Sequence, residues 1–192
     1  MLPQPIKRFV ELFAKLPGIG PRQASRIAFW ILRRGRDQIS AYNEAIKDLA
    51  EKVGVCQQCF FVFEVDGRNT LCTICRNPTR DLSILSVVEK ETDLVSMEKT
   101  RRFNGLYHIL GGLISPIDEE SNKYLKIPQL IKRIKDSGGK VNEVILAFGH
   151  TTEGDLTVME LEKILQPLGV KITRLGLGLP RGAEVEFADE DT

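Results

Sequence analysis

All four cysteines of this 192-residue chain fall in two pairs, Cys56-x2-Cys59 and Cys72-x2-Cys75, with twelve residues between the pairs. Each C-x2-C turn can aim two thiolates at one point. Two such turns can set four sulfurs tetrahedrally at about 2.3 Å from a Zn2+ ion. A complete thiolate shell leaves no open coordination position, so the ion is expected to be structural, one per chain. Residues 55–80 hold too little apolar material to fold alone, and ion binding would contribute directly to their folding. We therefore expect a C4 zinc finger over 55–80, with Lys52, Arg68, Arg76 and Arg80 near enough in sequence to offset its negative charge. Two disulfides or a redox dithiol are the other readings. The first suits an oxidising compartment, and the second needs only one pair. Within the segment, Phe60–Val65 and Arg68–Leu71 flank Asp66-Gly67, which predicts a hairpin closed by a tight two-residue turn.

The composition, 42% hydrophobic and 28% charged, is that of a globular protein and excludes disorder and fibrous repeats. No apolar run approaches the ~18–20 residues needed to span a bilayer, and Met1–Arg8 lacks the apolar core of a signal peptide. A cytoplasmic protein with no membrane contact is expected. The formal net charge of +1 conceals an asymmetry, because residues 1–36 carry eight Lys/Arg against Glu11 alone. Near the C-terminus, Glu184, Glu186, Asp189, Glu190 and Asp191 face only Arg181. A basic N-terminal element on a nearly neutral chain suggests a localised polyanion contact, although arginines solvated on helix faces give the same count.

Residues 1–54 read as helices. Ile6, Phe9, Val10, Leu12, Phe13 and Leu16 recur at helical spacing. Ala24, Ile27, Ala28, Ile31 and Leu32 form a second stripe, and a third helix is expected from Ser40 to Val53. Between the first two helices lies Leu16-Pro17-Gly18-Ile19-Gly20-Pro21, a breaker cluster whose last proline suits a first helical position. Gly18 and Gly20 can take positive φ and let a phosphate approach the backbone, while the helix start presents N–H groups and a positive dipole end. Arg22, Arg26 and Arg33, at i, i+4 and i+11, lie within about 40° of one another around the helix. Such a stripe suits sequence-independent contacts to the DNA backbone; an ordinary helical hairpin is the plainer reading.

From residue 81 the pattern alternates. Apolar runs Leu82–Val88, Leu106–Leu110, Val144–Phe148 and Val170–Leu175 read as strands, separated by helical segments around Asp93–Arg102, Pro128–Lys135 and Leu156–Leu165. This predicts an α/β domain over 81–175 with a mostly parallel sheet, making the whole an α+β multidomain chain. Glu89 closes the first strand run, and Glu153 and Asp155 follow the third. The C-terminal strand ends of such sheets form the functional crevice. There the three acids could hold Mg2+ for phosphoryl chemistry, line a solvated rim, or dock a basic partner. No nucleophile stands out and no G-x-x-x-x-G-K-[ST] loop is present, so a catalytic Mg2+ is not expected. His108, inside a strand run, reads as structural or interfacial, and His150 sits beside the acids. Gly176–Pro180 leads into an acidic extension over 176–192.

The order of these parts resembles the bacterial recombination mediator family RecR over nearly the full chain. The matching stretches are Leu16-Pro-Gly-Ile-Gly-Pro21, the cysteine cluster, Tyr107-His-Ile-Leu-Gly-Gly-Leu-Ile-Ser-Pro116 and Thr152-Glu-Gly-Asp155. Pro167-Leu-Gly-Val-Lys-Ile-Thr-Arg174, Gly178-Leu-Pro180 and Glu186-Phe-Ala-Asp-Glu190 complete the match. The resemblance implies a helix–hairpin–helix domain (1–54), a zinc finger (55–80), a Toprim domain (81–175) and a C-terminal extension (176–192). It further implies ring-like homo-dimers or tetramers that encircle DNA and act with RecO and RecF to load RecA at single-stranded gaps. The family's DNA-contacting basic positions fall on Arg22 and Arg26. Its Toprim acids, which serve mainly in partner docking, fall on Glu89, Glu153 and Asp155. The chain departs from the family's usual residues at Asp155, at Gly149-His150 and at Leu177, and its relatives usually continue past Thr192 with a short helix.

Overall fold

The structure, a computed structural model, describes residues 2–176 and 178. The expectations placed on the acidic extension therefore lie almost wholly outside the described residues. The chain divides into two compact units, Met1–Val53 and Gly54–Thr192.

The first unit is three helices, α1 (Gln4–Phe13), α2 (Pro21–Arg33) and α3 (Arg36–Lys52). The third starts earlier than Ser40 because Gly35, at φ +84°, reverses the chain straight out of α2. Only Ala24 and Ala28, one turn apart on α2, are fully buried in these helices. Their small side chains let α1 pack closely, and Phe9 and Phe13 stack with ring centroids 3.9 Å apart. An apolar groove of about 320 Å3 remains open between the helices, lined by Phe9, Phe13, Ile31, Leu32 and Ile46 among others.

The second unit begins with a two-stranded sheet, β1 (Val53–Val55) beside β2 (Val62–Glu64), followed by a short helix α4 (Thr73–Arg76). This differs from the expected hairpin. The chain closes on the first cysteine turn, where the Cys56 N–H donates to the Phe61 carbonyl at 2.9 Å, so β2 pairs backwards with 53–55. Asp66-Gly67 is indeed a turn, with Gly67 at φ +67°, but it joins no second strand. Asn69 Nδ2 donates to the Asp66 carbonyl and carboxylate at 2.9 and 2.8 Å, and the Gln57 N–H reaches the Thr70 carbonyl at 3.0 Å. Those bonds fold residues 66–71 onto the cysteine turn.

A four-stranded sheet follows, built from β3 (Ile84–Val88), β4 (Leu106–Ile109), β5 (Glu143–Ala147) and β6 (Lys171–Arg174) in the order β4-β3-β5-β6. Every pairing in it is parallel, as the alternating pattern predicts. The crossovers run through α5 (Glu91–Lys99), α7 (Ile127–Asp136) and α8 (Thr152–Leu165), with a short α6 (Glu119–Asn122) before α7. Strand residues alternate between two cores. Leu85, Val87, Leu106 and Leu110 join Leu130 and Ile134 of α7 and Val158, Leu161 and Leu165 of α8. Val88, Tyr107, Ile109 and Ala147 pack with Leu94 of α5 and with Cys56, Cys59, Cys72 and Ile74. The cysteine segment is thus continuous with one face of the sheet. Among the described residues, no helix is long and apolar enough to cross a membrane.

Candidate metal centre and nucleic-acid interface

The cysteine turns converge. The Sγ atoms of Cys56, Cys59, Cys72 and Cys75 all lie within 4.8 Å of one another, three of the residues buried and Cys75 half-buried. Cys59 Sγ and Cys72 Sγ are 3.5 Å apart, too far for the ~2.05 Å of a disulfide bond and close to the ~3.8 Å edge of a tetrahedron with 2.3 Å metal–sulfur bonds. All four are free thiols. So close a set cannot keep or shed its protons uniformly. Hydrogen bonding with Cys59, then with Cys72 and Cys75, holds Cys56 far below the usual thiol range, and hydrogen bonding with Cys56 drives Cys59 far above it. The donor set fits a tetrahedral metal ion that would take the place of the shared protons. Two of the arginines expected to offset its charge are engaged elsewhere. Arg76 pairs with Asp66 at 3.3 Å, and Arg80 grips Glu98 with both Nη atoms at 2.8 and 2.6 Å.

The first cysteine turn also closes the free edge of β4. The Ile109 N–H donates to the Cys59 carbonyl at 2.9 Å. Arg133 Nη1, reaching up from α7, donates to the carbonyls of Gln58 at 2.9 Å and Tyr107 at 2.6 Å. An unpaired strand edge is thereby covered by the turn. Phe60 adopts φ +65° beside it and sets its ring edge-on to buried His108, 5.3 Å away. His108 Nε2 lies 3.0 Å from the Lys126 carbonyl. Burial, and then the charge of Arg133, pull the His108 pKa from 6.5 to about 4, so the ring is neutral at physiological pH.

In the first unit, Gly18 takes φ +74° at the turn, whereas Gly20 sits at φ −86° with extended backbone. The expectation of positive φ at Gly20 is corrected: it is the N-cap of α2, a position that takes β-region dihedrals. A Cβ at either glycine would meet nothing within 4 Å, so the space over the turn is open. The first N–H groups of α2 lack intrahelical acceptors. Arg22, Arg26 and Arg33 are all exposed on α2. None has a carboxylate within 4.0 Å among the described residues.

The acids stand on either side of the point where the strand order reverses, between β3 and β5. Glu89 directly follows β3, with Lys90 Nζ at 3.5 Å. Glu153 and Asp155 occupy the first turn of α8, where the helix dipole favours them. Thr151 Oγ1 caps that turn by accepting from the Gly154 N–H at 3.1 Å, and a Cβ at Gly154 would overlap the Gly149 carbonyl oxygen. Asp155 lies 3.9 Å from Arg174. Among the described residues the three carboxylates do not form a cluster as close as the thiols do. His150 is exposed beside them. Sequence reasoning missed Thr157, which is fully buried, accepts from the Ile114 N–H at 2.8 Å and donates to the Glu153 carbonyl at 2.6 Å. It ties the Gly111–Pro116 loop to α8. It missed Arg133 as well; neither carries a spacing signal.

Comparison with known proteins bears on both units. A family model described as RecR, helix-hairpin-helix matches residues 6–50, and one described as Toprim domain matches residues 83–176. Similar curated proteins include "Recombination protein RecR" of Chloroflexus aggregans, 44% identical over 192 residues, 100% of this chain and 91% of the relative. The protein of that name from Koribacter versatilis is 42% identical over 189 residues, 98% and 92% of the two chains. That of Bifidobacterium longum subsp. infantis is 43% identical over 187 residues, 97% and 90%.

Proposed function

Since the chain belongs to the RecR family of recombination proteins, we propose that it is a non-enzymatic mediator of recombinational DNA repair. In this reading it is a clamp on single-stranded, gapped and double-stranded DNA, indifferent to sequence. It acts with RecO and RecF to promote RecA loading at single-stranded gaps. The observation that carries the reading is the arginine stripe of α2: Arg22, Arg26 and Arg33 are exposed and unpaired among the described residues, behind the open Gly18–Gly20 turn. Phosphates seat on the guanidinium groups and on the first amides of α2, contacts that carry no base code.

Cys56, Cys59, Cys72 and Cys75 hold one structural Zn2+ per chain, which keeps the first cysteine turn on the edge of β4. Glu89, Glu153 and Asp155 serve as an acidic docking edge for a basic partner rather than as a catalytic Mg2+ site. Exposed Leu32, Ile46 and Leu49 on α2 and α3 favour self-association into a dimer or tetramer. A closed assembly would retain DNA by topology and pool the arginine stripes of its subunits, which suits a chain of net charge +1.

Replacing Arg22 and Arg26 with Ala tests the contact. Affinity is expected to fall uniformly across duplex sequences, and the salt dependence to flatten by about 1.8, at ~0.9 per lost phosphate contact. Binding titrations at several salt concentrations that give an unchanged slope would remove α2 as the contact.

A further inference from the structure

A second basic surface lies at the opposite end of the parallel sheet from the three acids. Between the first cysteine turn and α7 runs an open groove of about 700 Å3. Gln57, Gln58 and Phe60 line it from the turn, and Gln129, Lys132 and Lys140 from α7 and the loop that follows. Lys132 and Lys140 are exposed and have no carboxylate within 4.0 Å among the described residues. Asp136 is the acid in its lining. Beneath it, Arg133 pins the wall through the Gln58 carbonyl while its Nη2 is buried without a hydrogen-bond partner among the described residues. The groove meets a second concavity of about 490 Å3 at Val141, and that one is lined by Lys135 and Lys171.

We propose that this groove is a second nucleic-acid contact, which takes the backbone of a single strand. It rests on the DNA-binding reading above and extends it to a different unit of the chain. Lys132 and Lys140 hold successive phosphates, the three glutamine amides reach sugar and base edges, and Phe60 offers its ring to an unstacked base. A cationic groove with amide donors and an aromatic wall is the combination that single strands use, because only they expose base faces. An acidic polypeptide would use the lysines and leave Phe60 idle.

The test uses the full-length, zinc-loaded protein and a fluorescent oligothymidine, with binding measured by anisotropy across a salt series. The double variant Lys132→Gln/Lys140→Gln is expected to flatten the single-strand salt slope by about 1.4, at ~0.7 per phosphate. Its duplex slope should stay that of the wild type. Lys163→Gln, which removes a lysine paired with Glu160 on α8, should change neither slope. Phe60→Leu with zinc content intact should weaken oligothymidine binding while leaving duplex binding unchanged. An unchanged single-strand slope in the double variant would overturn the proposal, as would loss of polyglutamate binding alone. Wild-type protein that binds neither DNA form would overturn the preceding reading along with this one.

Discussion

The two units of this chain solve the problem of stability differently. In the α/β unit, Leu85, Val87, Leu130, Leu146, Leu161 and Leu165 are essentially inaccessible, and the cysteine segment is sealed against the other sheet face. In the three helices of the first unit only two alanines are buried, while Leu32, Ile46 and Leu49 are 56%, 58% and 68% exposed. One unit can specify its own interior; the other leaves apolar surface for a neighbour to cover. The cationic stripe proposed to hold DNA is carried by the unit with the thinner core. A modest unit can do so because phosphate contacts need exposed charge and a fixed turn rather than a deep interior.

Removing the metal should open the widest gap between the units. Structural zinc sites bind with about 10–16 kcal/mol in small peptides, so chelation or Cys59→Ser should release the cysteine turn from β4. Hydrogen exchange at Ile109 should then rise while α1–α3 keep their protection, and metal analysis of the reduced, untreated protein should find one zinc per chain. Arg80→Ala comes next, because it strands Glu98, whose carboxyl the Arg80 guanidinium holds below the usual carboxylate range. Its partner is only 27% exposed, and breaking such a pair costs up to about 3–5 kcal/mol, readable by urea unfolding.

Acid sensitivity should also reside in the α/β unit, since residues 1–53 contain no histidine. His108 binds a proton in the unfolded chain at pH 6.5 but in the folded chain only near pH 4. Its stabilising contribution is complete above pH 6.5, declines by about 3 kcal/mol as pH falls to 4, and is flat below. His108→Gln should remove that slope from the unfolding free energy. The smallest effect on folding belongs to Ile46→Ser with Leu49→Ser, expected to cost under about 1 kcal/mol in the monomer. The same pair should shift sedimentation toward smaller species. A large folding loss without such a shift would break the contrast between the units.

The parts legible in the sequence were those that repeat or pair locally. Cysteine spacing announced the thiolate cluster, and apolar runs located the four parallel strands to within a few residues. Leu16–Pro21 marked the turn before α2, and the i, i+4, i+11 arithmetic put the arginines on one exposed face. What escaped depends on contacts between distant residues. Asp66-Gly67 has strong turn chemistry, yet closure of the cysteine turn decided which residues β2 pairs with. Val53 reads as the end of the third helix until β2 comes to lie beside Val53–Val55. Arg133 and Thr157 look like ordinary helix residues, and their roles appear only when two carbonyls and a loop amide reach them.

The central claim is that the chain holds DNA without altering it. The most direct test incubates purified protein with labelled gapped DNA and Mg2+, then resolves complexes and products on parallel gels. The account predicts a retarded complex containing intact DNA, with the retardation weakened in Arg22→Ala/Arg26→Ala. New DNA products that require Mg2+ and disappear in Glu89→Gln would contradict it and make the acidic edge a catalytic Toprim site.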